Sequence, residues 1–347
     1  MKKSITIKEI AEEAQVSIAT VSMVLNKKDK KISEATRKKI HAIAQKYNYT
    51  PNTMARSLIT RQTRTIGLII PDIVNPFFPE IARGVEDKAS EFGYSVIYCN
   101  TDDKIKREDK YINVLTEKMV DGIIFAHSSD RQLGFDSLDK CKVPILLIDR
   151  DYENRNVIGR VVVDNREGAY MATSYLLDRG YRKIAYIAGS ITTTTARGRL
   201  EGYNQALAER EIPVNEHYIK VGEYKLQWGV EAADQLLHEK EPIDAIFCGN
   251  DLIAIGAIRK LKECGLRVPE DIGIVGFDDI YLASLVEPPL TTIKQPNYEM
   301  GYKAAELLIK NIEKLRQDKI KHENNSVLVE KNTVFLPTEL IVRRSAK

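Results

Sequence analysis

No apolar run in the 347-residue sequence approaches the roughly 20 residues needed to span a bilayer, so neither a helical membrane span nor a membrane partner is expected. The basic start Met1-Lys2-Lys3 has no apolar stretch behind it. It does not read as a secretory signal, and the expected compartment is the cytosol. Cysteine is scarce: Cys99, Cys141, Cys248 and Cys264 lie far apart in mostly apolar contexts, with no C-x-x-C spacing and no nearby His pair. They read as buried free thiols and not as a metal or redox centre. Histidine is equally sparse, and His41, His127, His217, His238 and His322 fall in no metal spacing. Only His127, just beyond a strand-like run, stands where chemistry could be done. There is no G-x-G-x-x-G after a strand, no phosphate-binding G-x-x-x-x-G-K-[ST], no G-x-S-x-G and no H-E-x-x-H. Catalysis, a cofactor and a metal are therefore not expected.

What remains is an ordinary globular composition, 43% hydrophobic and 29% charged, in a chain long enough for two or three units. The net charge of +3 is unevenly distributed. Residues 1–64 hold 14 Lys and Arg against 5 Asp and Glu, a net of +9, and the remainder holds 38 against 44, a net of −6. A basic end on an acidic body is the electrostatic footprint of a nucleic-acid module, although surface charge often serves only solubility.

The basic end carries a helical pattern. Thr6-Ile7-Lys8-Glu9 reads as a capping box, followed by Ile7, Ile10, Ala11 and Ala14 at helical spacing. Ser17 can cap a second short helix, Ile18 to Leu25, with Val21, Val24 and Leu25 as its apolar face. Ser33 can cap a third, from about Glu34 to Lys46, with Ile40, Ile43, Ala44 and Tyr47 inward. This is a helix-turn-helix with a supporting helix. A plain helical bundle would have the same core. The outer face of the second helix, Ile18, Ala19, Thr20, Ser22, Met23 and Asn26, has no acidic residue to repel phosphate, however. Its hydroxyls and amide can bond phosphate oxygens, and Ile18 and Ala19 can meet thymine methyl groups in a major groove.

From Ile7 to Asn26, and above all in Val16-Ser17-Ile18-Ala19-Thr20-Val21-Ser22-Met23-Val24-Leu25-Asn26, the chain resembles the headpiece of the lactose-repressor (LacI) family. Tyr49-Thr50-Pro51-Asn52-Thr53-Met54-Ala55-Arg56-Ser57-Leu58 resembles the family's hinge helix. The resemblance implies operator contacts from Thr6, Ser17 and the outer face of the second helix. It further implies a hinge segment that folds on DNA, with Asn52, Ala55 and Arg56 near the duplex and Leu58 wedged into the minor groove. Physically, the segment is too short to be a stable isolated helix, and an inserted apolar wedge recovers its unstacking cost through a kinked, better-wrapped duplex. Met23 stands where the family often has a basic base-reading residue, and Ile59 follows Leu58 where some members place lysine, which leaves the inner operator bases open. The lysine-rich turn Lys27 to Lys31, with one extra residue, reads as phosphate-facing or solvated.

Strand-like runs begin near Ile66, Ser95, Gly122 and Pro144, and again near Ile184, Tyr218, Asp244 and Ile272. Between most of them lie helical stretches: Phe78 to Phe92, Lys106 to Lys118, Arg166 to Arg179, Arg199 to Arg210, Trp228 to Glu239 and Asp251 to Cys264. The alternation, repeated in two halves, argues for two doubly wound parallel sheets side by side, which bind ligands at the carboxyl ends of their strands. At such ends stand Asp72 with Asn75-Pro76-Phe77-Phe78, then Asp149-Arg150, Asn250-Asp251 and Phe277-Asp278-Asp279. Asp and Asn there are commonly helix caps, and Phe77 and Phe78 fit a core. Their recurrence in both halves favours a polyhydroxyl ligand, whose hydroxyls suit carboxylates, amides and arginine and whose ring suits phenyl faces.

Here the chain resembles the effector domain of the same family, related to periplasmic sugar-binding proteins, and is most similar to the ribose-operon-repressor type. The likeness runs from residue 5 to about 345. It implies an all-α helix-turn-helix headpiece (1–49), a hinge helix and linker (50–63) and an α/β periplasmic-binding-protein-like core of two doubly wound parallel-sheet lobes (64–347). The first lobe would hold about 64–163 and 296–326, the second about 164–295 and 327–347, with crossings near Val163, Gln295 and Ser326. The pocket between lobes would be lined by Asn75, Phe77, Phe78, Asp149, Arg150, Arg197, Tyr224, Asn250, Phe277, Asp278 and Gln295. A transcriptional repressor answering to a small polar effector, a sugar such as ribose, follows. Other regulators remain open: a phosphorylated partner protein, as in catabolite control, or a purine. One recognition helix makes too few contacts alone, so a homodimer on pseudo-palindromic double-stranded DNA is expected, and without leucine heptads at Lys347 a dimer and not a tetramer. A free-standing transport binding protein would lack the basic headpiece.

Overall fold

The computed structural model describes residues 5–26, 29, 31–49, 62–128, 138, 140–152, 157–321 and 332–347, the side chains of 318–321 excepted. Two compact units divide the chain, Met1–Thr63 and Arg64–Lys347.

The first unit is built from α1 (Ile7–Ala14), α2 (Ile18–Leu25) and α3 (Glu34–Lys46). Each starts where a hydroxyl replaces the missing helical acceptor: Thr6 in a complete capping box with Glu9, Ser17 accepting from the Thr20 amide, and Ser33 accepting from the Thr36 amide. α1 ends on Gln15 at φ 58°, a left-handed cap that turns the chain sharply into α2. Ile10, Val21, Val24 and Ile40 meet in a core with Ala11, Ala14, Ile43 and Ala44, as their helical spacing requires. Tyr47, expected inward, is exposed at the C-terminus of α3, beyond the last buried turn, where Lys46 lies over its ring. Arg37 of α3 pairs with Asp29 and donates to the Ile32 carbonyl, while Lys27, Lys28 and Lys30 lie outside the described residues. Asn52, Ala55, Arg56 and Leu58 lie outside the described residues.

The second unit holds two six-stranded sheets. The first has the order β11-β5-β4-β3-β1-β2, formed by β1 (Thr65–Ile70), β2 (Ser95–Asn100), β3 (Gly122–Phe125), β4 (Ile145–Ile148), β5 (Val157–Val163) and β11 (Asn332–Leu336), all parallel. The second repeats it as β12-β10-β9-β8-β6-β7, from β6 (Ile184–Ala188), β7 (Ile219–Val221), β8 (Ala245–Cys248), β9 (Gly273–Asp278), β10 (Thr291–Lys294) and β12 (Glu339–Ile341), with only β12 antiparallel. Helices α4 (Phe77–Glu91), α5 (Ile105–Glu117) and α10 (Asn297–Lys321) belong to the first lobe. The second lobe has α6 (Asn165–Asp178), α7 (Thr194–Ala208), α8 (Leu226–Leu237) and α9 (Asp251–Glu263).

Strands covered on both faces explain their nearly continuous apolar runs. Ile66, Leu68 and Ile70 of β1 point to one core while Ile69 points to another; in β8, Ile246 and Cys248 oppose Ala245 and Phe247. Ile280, between β9 and β10, is buried in the first lobe's core with Leu252 and Ile255 of α9 packed nearby, so an apolar seam joins the lobes beside their crossings.

The chain crosses after Val163 and after Gln295, but its third crossing falls between Leu336 and Glu339 and not near Ser326. Residues 332–336 extend the first sheet, pairing Asn332 with Gly159 and Leu336 with Val163, so the first lobe continues to Leu336. The cysteine reading also needs one correction: Cys99, Cys141 and Cys248 are buried, whereas Cys264 caps the C-terminus of α9 and is exposed beyond its last inward residue.

Candidate functional site

Two sites emerge, one in each unit. In the first, α2 carries no charged residue, and its apolar inner stripe leaves Ile18 48% and Met23 41% exposed, with Ala19 exposed beside them. Thr20 and Ser22 are half-buried on the same helix. Several polar groups are already engaged by their own backbone. Ser17 caps α2 and shares a 2.8 Å hydrogen bond with Thr20, Asn26 Nδ2 donates to the Ser22 carbonyl at 2.7 Å, and Thr6 is closed by Glu9. Such a face offers methyls and hydroxyls to a groove, while positive charge must come from the flanks.

In the second unit, the loops after β1, β2 and β4 of the first lobe and after β6 to β9 of the second enclose a cleft of about 560 Å³. All enter from the carboxyl ends of parallel strands, and β1/β3 and β6/β8 are the pairs at which each sheet reverses its order.

The first lobe presents consecutive charges. Asp149 has φ 66°, and the Arg150 amide donates to the Ile148 carbonyl at 2.7 Å, a three-residue turn that brings both side chains to the cleft. Left-handed backbone in a non-glycine residue is strained, although Asp tolerates it better than most. Arg150 is 5% exposed and is fixed by the His127 carbonyl at 2.6 Å and by Asp103 at 3.2 Å, with Asp149 3.6 Å from its Nε. His127 therefore serves the site through its carbonyl. Asn75 lines the cleft and accepts from the Phe77 amide at 3.2 Å, and Phe77 and Phe78 add edge-to-face rings 5.0 Å apart.

The second lobe answers with Arg199, Asp278, Asn250 and Tyr224. Arg199, 3% exposed, donates to Asn165 Oδ1 at 2.8 Å and to the Gly249 carbonyl, and its guanidinium lies 3.8 Å over the Phe277 ring and 3.8 Å from Asp278. Asp278 has φ 112° and accepts from Gln295 Nε2 at 2.7 Å. Its loop is anchored by Asp251, which accepts from Thr292 Oγ1 at 2.6 Å and from the Ile280 amide at 2.8 Å. Asn250 caps α9. Burial pushes the Asp278 carboxyl up to about 7, against the pull of Arg199 and the Gln295 hydrogen bond and with a push from Asp149. Burial also raises Asp149, opposed by Arg150 and by Arg199 of the other lobe, so the charged groups of the two lobes act on each other across the cleft.

The structure brings Asn75, Phe77, Phe78, Asp149, Arg150, Tyr224, Asn250 and Asp278 to the cleft lining. Three expected residues stand elsewhere. Arg197 is exposed on the outer side of α7 and donates to the Thr192 carbonyl at 2.8 Å; Arg199 takes the position expected of it. Phe277 is fully buried because alternation along β9 turns it into the core beneath Arg199. Gln295 touches Asp278 instead of lining the cleft. Sequence reasoning also passed over Asp103 and Lys104 after β2, and Ser190, Thr192 and Thr195 after β6, although the strand-end rule reaches them. Arg199 was legible too. With Thr193 as cap, Ala196, Arg199 and Tyr203 share the inward stripe of α7, and Arg197 cannot. Among the described residues, no group of three or more His, Cys, Asp or Glu is placed to hold a metal, and no helix is long and apolar enough to cross a membrane.

Residues 6–52 match the profile of bacterial regulatory proteins of the lacI family, and residues 63–333 that of the periplasmic binding proteins and sugar binding domain of the LacI family. The chain belongs to the LacI family. It is 44% identical to the HTH-type transcriptional regulator RegA of Clostridium acetobutylicum, over 94% of this chain and 98% of that protein. It is 40% identical to the ribose operon repressor of Halalkalibacterium halodurans, over 99% and 97%. Among solved structures, a lac repressor dimer bound to operator and the anti-inducer ONPF superposes with a TM-score of 0.84 at 28% identity, covering 99% of each chain. A LacI family regulator from Enterococcus faecium with bound ribose gives 0.68 at 29% identity, over 81% of this chain and 98% of that one. This LacI-family chain is a DNA-binding transcriptional repressor.

Proposed function

We propose that the repressor binds a pseudo-palindromic operator as a homodimer through the outer face of α2, and that a sugar such as ribose, bound in the interlobe cleft, sets its DNA affinity. The observation that carries this reading is that each lobe contributes one buried carboxylate and one buried guanidinium, Asp149 with Arg150 and Asp278 with Arg199, to the same cavity. A hydroxyl both donates and accepts, so a polyol can satisfy carboxyl groups in either protonation state and donor-only guanidinium groups on both walls at once. Phe77, Phe78 and Tyr224 supply apolar surface for the ring. A ligand held by both lobes favours the arrangement in which both reach it, and shifts the DNA equilibrium by its differential affinity for the two arrangements. The relative named a ribose operon repressor and the ribose-bound neighbour support this choice of sugar.

The test is calorimetric titration of the full-length protein with ribose and related aldoses, followed by operator titration with and without the ligand that binds. Saturable binding that moves operator affinity is expected. Arg199→Met should weaken the sugar by about 2 kcal/mol or more, the range for a lost charged hydrogen bond. A sugar that binds without changing operator affinity would refute the regulatory role.

A further inference from the structure

Arg64 is the first residue of the second unit, the point from which the chain leads back to the helical unit. Its backbone stands at φ 53°, a left-handed conformation that a non-glycine residue keeps only where its neighbours hold it. The hold is on the backbone itself. The Arg64 amide donates to Asp121 Oδ2 at 3.0 Å, and its carbonyl accepts from the Ser95 amide at 2.8 Å. The Asp121 amide in turn donates to the Thr65 carbonyl at 2.7 Å. From α10, Arg316 reaches Asp121 Oδ2 at 2.9 Å and donates to the Tyr94 hydroxyl at 3.0 Å. The Asp121 carboxylate, 3% exposed, thus ties the start of β1 to the turn before β3 and to α10. The Arg64 guanidinium adds an ion pair with Glu313 at 3.5 Å, but those side chains are 42% and 40% exposed, and solvated pairs of this kind contribute little. Arg64, Ser95 and Asp121 stand at the amino ends of β1, β2 and β3, opposite the carboxyl ends that face the cleft.

α10 has its other end beside the cleft. It begins just after Gln295, where the chain crosses between the lobes and where the Gln295 side chain donates to Asp278. Asn297 and Arg316 stand about 29 Å apart along its axis, at roughly 1.5 Å per residue. Over that length Met300, Ala304, Leu308 and Ile312 are buried in the first lobe's core, so the helix and the lobe move as one close-packed body. We infer that Asp121 is a positioning residue for regulation: by gripping the Arg64 amide and the Arg316 guanidinium together, it makes the chain's exit toward the DNA unit part of the first lobe, so that rearrangement of the lobes reaches the operator. The inference rests on the effector reading above and adds the place at which its signal leaves the lobes. Without the carboxylate, Arg64 loses its link to α10 and relaxes toward ordinary backbone. The exit then no longer follows the lobe, while the groups that face the effector, at the opposite ends of the strands, are untouched.

The experiment uses the full-length protein and measures operator affinity by fluorescence anisotropy with and without saturating ribose, ribose affinity by calorimetry, and stability by denaturant unfolding. In the parent protein the two operator affinities should differ on the order of 5–150-fold, the usual span of such coupling. Asp121→Ala should bind ribose within about twofold of the parent while that ratio moves at least about threefold toward one. Arg316→Met leaves Asp121 its bond to the Arg64 amide; it should move the ratio less, in the same direction, and it decides the question should Asp121→Ala not fold. Ser345→Ala is the control. It removes a buried hydroxyl of the second lobe that donates to the Ile274 carbonyl at 2.6 Å and accepts from the Thr291 amide at 2.8 Å, so it should lower stability and leave the ratio unchanged. An unchanged ratio in Asp121→Ala and Arg316→Met, or an equal change in Ser345→Ala, overturns the inference and leaves the effector reading standing. A parent protein whose operator affinity ignores ribose overturns the effector reading and the inference with it.

Discussion

Asp278 concentrates the local tension of the cleft: a carboxyl 4% exposed, on a backbone at φ 112°, raised to about 7 by burial. Its folded form holds a proton that the unfolded chain releases near pH 4. The stabilisation linked to that proton is fully present below the unfolded pKa and is lost as pH rises toward and through 7, at a cost on the order of a few kcal/mol. Asp278→Asn removes this titration. The melting temperature of the variant relative to the parent protein should therefore rise steadily from pH 4 to pH 8; a constant difference across that range would show that the carboxyl does not titrate there. The two arginines of α7 give a second test. Arg199→Met should weaken the effector strongly while Arg197→Met should leave it unchanged within about twofold, as read by calorimetry, because only Arg199 reaches the cleft. The general location of the site was readable because strand ends carry polar groups for a geometric reason. Choosing between residues two apart required the helix phase, which the Thr193 cap supplies.

At the scale of elements, helices with a hydrophobic stripe and strands with long apolar runs were visible in the sequence, and those that were missed share a physical cause. β5 is interrupted by Gly159 and Arg160, β10 is Thr-Thr-Ile-Lys with a single aliphatic residue, β12 is three residues begun by Glu339, and β11 is largely exposed at a sheet edge, so none offers a periodic apolar pattern. Because β11 was not seen, the third crossing was placed too early. α10 was missed although it is the longest helix among the described residues, and its packing on α4 depends on paired glycines. A Cβ on Gly84 would fall within contact distance of the Tyr298 carbonyl, and one on Gly301 would meet the Ile81 carbonyl. These are backbone atoms that no side-chain rotation can move away. Gly84→Ala should thus destabilise the second unit by about 1–3 kcal/mol or more, as overpacking does, measured by denaturant unfolding. In the first unit, Ser17→Ala removes the acceptor for the Thr20 amide and should cost about 1 kcal/mol. Because Ser17 also flanks the proposed DNA face, Ser17→Asp, which restores a cap but adds negative charge, should recover stability without recovering operator affinity.

At the scale of the whole molecule, charge and fold divide together: residues 1–63, the helical unit and the linker, carry a net of +8, and residues 64–347, the lobes that hold the cleft, a net of −5. Removing residues 1–63 should abolish operator binding and leave sugar binding intact, since the cleft is built wholly from the second unit. Since α2 itself is uncharged, the proposed DNA face can bond base edges and phosphate oxygens without neutralising them. On this reading the electrostatic attraction must come from other Lys and Arg of the basic end, and a homodimer would double that set. Neutralised phosphates release counterions, so the logarithm of operator affinity should fall linearly with the logarithm of salt concentration, with a slope of about −0.9 per phosphate neutralised. A slope of several units is expected for the dimer. Met23→Ala should change the preference among operator bases and leave the slope alone, whereas Lys8→Ala should flatten it if that side chain neutralises a phosphate in each half-site. Fluorescence anisotropy across a salt series distinguishes the two. A Met23 variant that alters the slope without altering base preference would mean that α2 does not lie against the bases.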